Sequence, residues 1–325
     1  MLWRQIQKNN FTDLNTLLDF LEIEPNHRVN FLEKSPFVLN LPLRLAQKIA
    51  KKSLNDPILY QFLPLVLEQN TQGALDPVKD KDFQKTTSLL QKYPGRALII
   101  ATSACAMHCR YCFRKNYDYL PSNFQNELEV IQNDPSLEEI LLSGGDPLSL
   151  SDEKLFNLLE ALDKIPHLKR IRFHTRFIVG IPERIHEGFI KKIQSLKKQL
   201  FFVIHVNHAK ELDEDIFIAC KKLLSCGIPV LSQTVLLKGV NDDIETLVDL
   251  FKALSNRGII PYYLHQFDPV QGSMHFEVPI ETGLNLYAQL KNYLPGYAVP
   301  RYVQEIPGHL SKTPLTAFEH QSTRC

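Results

Sequence analysis

The sequence has no long apolar run. Nothing in its 325 residues approaches the roughly 18–20 consecutive apolar residues of a membrane helix. Met1 to Asn10 is polar and lacks the basic-then-apolar pattern of a secretory signal. Together these absences make the cytoplasm the expected compartment, with no membrane partner. Charge of one sign is also missing, with 37 Lys and Arg against 36 Asp and Glu. So balanced a surface gives no electrostatic case for nucleic acid. Cysteine is sparse: six residues do not make a disulfide scaffold in a chain of this size. In a reducing compartment, clustered cysteines more often bind metal or do chemistry. There is no internal repeat and no low-complexity segment.

What is present reads as α/β. Residues 1–90 form an expected first region, mostly helical, with apolar residues at helical spacing over Phe11–Leu21 and Pro42–Ala50. Pro64–Tyr93 is polar and is expected to cross the surface as a long connection. From residue 97 short apolar runs recur: Ala97–Thr102, Glu139–Ser143, Arg170–Thr175, Leu200–Val206, Val230–Leu237 and Ile259–Phe267. Amphipathic stretches such as Asp152–Ile165, Glu183–Lys198, Asp213–Cys226 and Ile244–Arg257 lie between them. Strands alternating with helices predict a parallel sheet with crossover helices, here a partial barrel of six β/α units over residues 91–300. In such barrels chemistry gathers at the C-terminal ends of the strands.

Cys105-Ala-Met-His-Cys109-Arg-Tyr-Cys112 follows the first of these strands. A 4Fe–4S cluster normally takes four cysteines. Three thiolates leave one iron open, as a catalytic metal requires. S-adenosylmethionine (SAM) can chelate that iron through its amino and carboxylate groups. The alternative is a zinc site with His108 as a fourth ligand. Cys220 and Cys226 read as helix-packing residues, and Cys325 is terminal. Ser143-Gly144-Gly145-Asp146-Pro147 follows the second strand. Glycines there admit a close ligand, such as the SAM amino group, or simply make a tight turn that Asp146 caps.

Further motifs carry a resemblance. CRYCFRK, SGGDPL, HVNHA, QTVLLKGVND, PYYLHQFD and SKTPL occur in that order from about residue 85 onward. With Tyr111 before the last cysteine, they resemble the lysine 2,3-aminomutases of the radical SAM superfamily. The short N-terminal region and the SKTPL ending are most like the bacterial branch that makes β-lysine for elongation factor P. The resemblance implies a cytoplasmic isomerase with three cofactors: the cluster on Cys105, Cys109 and Cys112, SAM, and pyridoxal 5′-phosphate (PLP). It makes Lys312, in the segment 301–325, the lysine that binds PLP. Lys92 and Arg96 match phosphate contacts, with Lys92 replacing a family arginine. Arg114 matches the residue that grips the substrate carboxylate. Asp268 and Glu305 match the acids that receive the far amino group of L-lysine, Glu305 standing where clostridial enzymes have aspartate. Ser143, Gly144, Gly145, Asp146, His205 and Gln233 match the SAM side. Implied partners are an external electron donor and a β-lysine ligase acting on elongation factor P.

Two rivals remain at this point. An arginine 2,3-aminomutase would keep the cluster, PLP and both acids, whereas a glutamate enzyme would need a cation in their place. A non-catalytic metal-binding regulatory protein would keep only the cysteines.

Overall fold

The computed structural model describes residues 2–316. Cys325 lies outside them.

The six expected strands all form. They are β2 (Arg96–Thr102), β3 (Glu139–Gly144), β4 (Arg170–Thr175), β5 (Gln199–His205), β6 (Val230–Val235) and β7 (Ile260–His265). Each pairs in parallel with the next, so the strand order follows the chain. The intervening helices explain this parallel order. The helix Asp152–Lys164 is capped by the Ser151 side chain and buries Leu155, Leu158, Leu159 and Leu162 along one stripe. Asp213 and Asp243 cap the helices Glu214–Ser225 and Ile244–Ser255 in the same way.

Strand periodicity decides what faces the interior. In β4, Ile171, Phe173 and Thr175 are buried, whereas Arg170, Arg172 and His174 on the alternate face are half-buried. Neighbouring strands keep that alternation in register, pairing Val203 with His174, His205 with Gln233, and Val235 with His265. His174, His205, Gln233 and His265 therefore share one face of the sheet at successive levels along it.

Pro64–Tyr93 does cross the surface over most of residues 66–87, which are exposed, but its end folds into the sheet. Leu89–Tyr93 is strand β1, antiparallel to β2, and Asp80 is only 1% exposed. Composition misleads at Asp80 because it is buried as an ion-pair partner, not as an apolar residue. At the other end, β8 (Arg301–Gln304) pairs parallel to β7, and β9 (Thr313–Pro314) turns back antiparallel on β8. The result is one nine-stranded sheet, open among the described residues because no pairing joins β1 to β9.

The N-terminal region shares the core of the barrel. Its helices Leu2–Gln7, Leu14–Phe20, Leu43–Ala46 and Pro57–Phe62 bury Trp3, Leu17, Leu45 and Phe62. Trp3 meets Phe177, just beyond β4, edge-on at 5.4 Å between ring centroids.

Candidate active site

The cysteine loop leaves β2 and is fixed from outside by the N-terminal region. Asn10 Nδ2 donates to the Ala106 carbonyl at 2.7 Å, and Asn40 Nδ2 to that of Cys105 at 3.1 Å. The His108 and Arg110 amides donate to the carbonyls of Asn40 and Gln61 at 2.9 and 2.8 Å. The buried Arg110 side chain pairs with Glu68. Residues 1–90 thus supply the partners a loop needs for its backbone. The three thiols are free of disulfides and line one cavity of about 510 Å³, within the range of cofactor sites.

This donor set fits a cluster better than zinc. His108 turns away, its Nδ1 at 2.8 Å from the Val38 carbonyl and its ring stacked on Phe37. Among the described residues no three His, Cys, Asp or Glu side chains converge on a single ion. A cubane spreads its thiolates over separate irons and needs no such convergence. Burial pushes the Cys105 thiol well up, with Asp146 and the other two cysteines adding to it, and lifts Cys112 to about 11. A coordinated metal reverses this by deprotonating the thiol outright.

The glycine turn is packed against that loop. A Cβ on Gly145 would lie 2.4 Å from the Ala104 carbonyl oxygen, and Gly144 has a φ of +111°. Both positions therefore require glycine. The Asp146 carboxylate borders the cavity but is already used within the protein. It accepts from the amides of Leu148, Arg176 and Phe177 and from the Thr175 hydroxyl, at 2.7–3.0 Å. It ties the turn to the end of β4 and offers no free acceptor to a ligand.

Elsewhere around the same cavity, charged side chains form a chain of contacts. Arg114 Nε lies 2.6 Å from Asp80, and Arg114 Nη1 lies 3.3 Å from Ser143 Oγ. Lys92 pairs with Asp80 at 2.8 Å and approaches Glu305 at 3.7 Å. Lys312 Nζ lies 2.7 Å from Glu305 Oε2, and the Tyr93 hydroxyl donates to the same carboxylate at 2.7 Å. Burial opposes ionisation of both acids. The cations outweigh it: Arg114 and Lys92 hold Asp80 below its usual range, and Lys312, with Tyr93 and Lys92, does the same for Glu305. Asp268 has no such rescue. Burial lifts it to about 7, Lys312 pulling it back and Glu305 pushing it further. Arg96 borders the same cavity with its guanidinium over the Tyr93 ring, and among the described residues it has no carboxylate partner. A lysine side chain, one unpaired cation and a second cation on the same cavity suit the aldehyde and phosphate of PLP.

His205 and Gln233 lie side by side at the strand ends. His205 Nε2 is within reach of Tyr111 Oη at 3.1 Å and Asn207 Oδ1 at 3.2 Å, and burial holds it down at about 3. Four residues of this site were not picked out from sequence. Asp80 and Tyr93 carry no local signal. His174 and Arg176 do, because both stand at the C-terminal end of β4. The His174 ring borders the cavity with its Nε2 buried and unpartnered. Burial, with Arg172 and Lys312 nearby, keeps that ring neutral.

The family profile described as "Radical SAM superfamily" matches residues 99–251. The chain is 38% identical over 319 residues to the L-lysine 2,3-aminomutase of Haemophilus influenzae, covering 96% of this chain and 94% of that protein. It is 38% identical over 313 residues to the Escherichia coli L-lysine 2,3-aminomutase, covering 94% and 91%. A glutamate 2,3-aminomutase from Clostridioides difficile is 30% identical over 322 residues, covering 94% and 74%.

Proposed function

Since this chain belongs to the lysine 2,3-aminomutase family of radical SAM enzymes, we propose that it moves the α-amino group of L-lysine to the β-carbon, yielding β-lysine. The observation that carries the reading is the acid pair Asp268 and Glu305 on the same cavity as Arg114, Lys312 and the three cysteines. A substrate with a carboxylate at one end and a cation at the other matches that layout. A second carboxylate, as in glutamate, would face like charge and leave the acids unpaired in a dry site.

Cys105, Cys109 and Cys112 are the residues that would hold the cluster, and Lys312 with Lys92 and Arg96 those that would hold PLP. When bound, the cluster with SAM supplies a 5′-deoxyadenosyl radical, and PLP supplies an imine π system that carries nitrogen between adjacent carbons. The chain's own work is orientation. Arg114 receives the substrate carboxylate on a planar fork, with Ser143 at its flank. Asp268 and Glu305 receive the far ammonium and thereby fix which C–H bond faces the radical. Tyr93 and Lys92 keep the Glu305 carboxylate in place. The Gly144–Gly145 turn holds the cysteine loop against β2. Enclosure by the surrounding strands excludes water and other quenchers.

The working compartment we propose is the cytoplasm; no helix among the described residues is long and apolar enough to cross a membrane. We assign the electron to an external low-potential donor. The likeness of the SKTPL segment to the elongation factor P branch supports a β-lysine ligase as the consumer of the product. The test is anaerobic reconstitution with iron, sulfide and PLP, then addition of SAM, dithionite and L-lysine. The expected result is β-lysine by mass spectrometry with SAM largely unconsumed. Turnover of L-arginine in place of L-lysine would overturn the substrate assignment. An inert protein with an intact cluster would overturn the activity.

A further inference from the structure

We propose that Arg176 is a redox-tuning residue, donating an N–H to the Cys109 sulfur and so setting how readily the cluster accepts its electron. This rests on the assignment of Cys105, Cys109 and Cys112 as cluster ligands.

Arg176 follows β4 directly, and its amide is fixed by Asp146 at 2.7 Å. Its side chain is 7% exposed. One end of the guanidinium is anchored, with Nη2 donating to Glu211 Oε2 at 2.6 Å and to Gln61 Oε1 at 2.7 Å. Those anchors are themselves immobile. Glu211 Oε1 accepts from the Asn207 and His208 amides at 2.9 Å each and from Gln61 Nε2 at 3.1 Å. The planar fork then has one direction left for Nη1, toward Cys109 Sγ at 2.9 Å and the Tyr111 hydroxyl. Among the described residues, no other arginine side chain is hydrogen-bonded to a cysteine sulfur.

One-electron reduction adds one negative charge, shared by the irons and their sulfurs, with no proton required. The electron comes from the external donor, which is oxidised by one electron. A donor N–H on a thiolate stabilises the more negative, reduced state more than the oxidised one, and so raises the potential. Glu211 offsets the monocation at long range, but it cannot replace the short-range N–H contact. Gln61, from the helix Pro57–Phe62, thus extends the grip of the N-terminal region from the backbone of the cysteine loop to the electronics of its sulfur.

The test uses reconstituted full-length protein without SAM, titrated with dithionite and followed by electron paramagnetic resonance. The variants are Arg176→Lys and the double variant Arg176→Gln with Glu211→Gln, which leaves no buried carboxylate unpaired. With wild-type iron content, the double variant should be at least tenfold harder to reduce, a fall of 59 mV for one electron. The lysine variant should fall between it and wild type. An unchanged potential in a fully loaded variant overturns the proposal. Should the variants fail to load, wild-type protein carrying arginine ¹⁵N-labelled only in its guanidinium group decides. A ¹⁵N hyperfine coupling to the reduced cluster supports the contact, and its absence overturns it. Failure of the wild type itself to bind iron would instead reject the cluster assignment.

Discussion

Lys312 Nζ and Glu305 Oε2 are 2.7 Å apart. The acid that resemblance assigns to the far ammonium of the substrate thus holds the ammonium of the chain's own lysine. That pairing keeps the carboxylate ionised in a site only 10% exposed on the Glu305 side chain. In Glu305→Ala the protein should retain PLP, because Lys312 is untouched. The lysine concentration for half-saturation should rise about 10-fold to 100-fold, since a hydrogen bond to a charged group is worth about 1.5–3 kcal/mol. Steady-state kinetics beside the PLP absorbance separates the two effects. Loss of PLP with unchanged lysine affinity would reverse the assignment.

The second acid behaves differently with pH. Burial raises Asp268 to about 7, so below that value its carboxyl is neutral and above it anionic. An ammonium pairs with the anion only, so substrate binding near neutrality must expel a proton. Lysine should therefore bind more tightly one unit above pH 7 than one unit below it. Calorimetry in buffers of differing ionisation enthalpy should detect the released proton. Asp268→Asn should abolish both the pH dependence and the release.

Asp80 is the counter-ion of two cations at once, Arg114 at 2.6 Å and Lys92 at 2.8 Å. Asp80→Asn leaves Arg114 unpaired inside the protein and Lys92 with only the more distant Glu305. Urea unfolding of the cofactor-free chain should show a loss of about 3–5 kcal/mol, the cost of breaking a buried pair from one side. A change within experimental error would mean that water already screens this wall.

At Gly145 the obstacle to a side chain is backbone, with Ala104 O at 2.4 Å and Ser103 C at 2.8 Å from an added Cβ. Neither can swing away as a side-chain tip would. Gly145→Ala should displace the cysteine loop, at a stability cost of about 1–3 kcal/mol. Iron bound per chain after reconstitution should fall with it. Full iron loading in this variant would show that the loop tolerates the shift.

Local pattern was enough to identify the barrel and the cysteine loop after its first strand. Six apolar runs alternating with helices, and cysteines placed just after the first, are short-range signals whose period and spacing survive without coordinates. Cys105, Cys109 and Cys112 fall within eight consecutive residues for that reason. Lys312, Arg114 and Asp268 were reached only through resemblance, since an isolated charged residue looks the same solvated or buried. Tertiary structure alone decided the pairings. Asp80 with Arg114, Cys109 with Arg176 and Tyr93 with Glu305 are 34, 67 and 212 residues apart. Contacts at such separations arise from how strands stack around a shared interior, which no local period encodes. The same holds for Asp80, buried within a mostly exposed segment, because its burial depends on Lys92 and on Arg114, 34 residues further on.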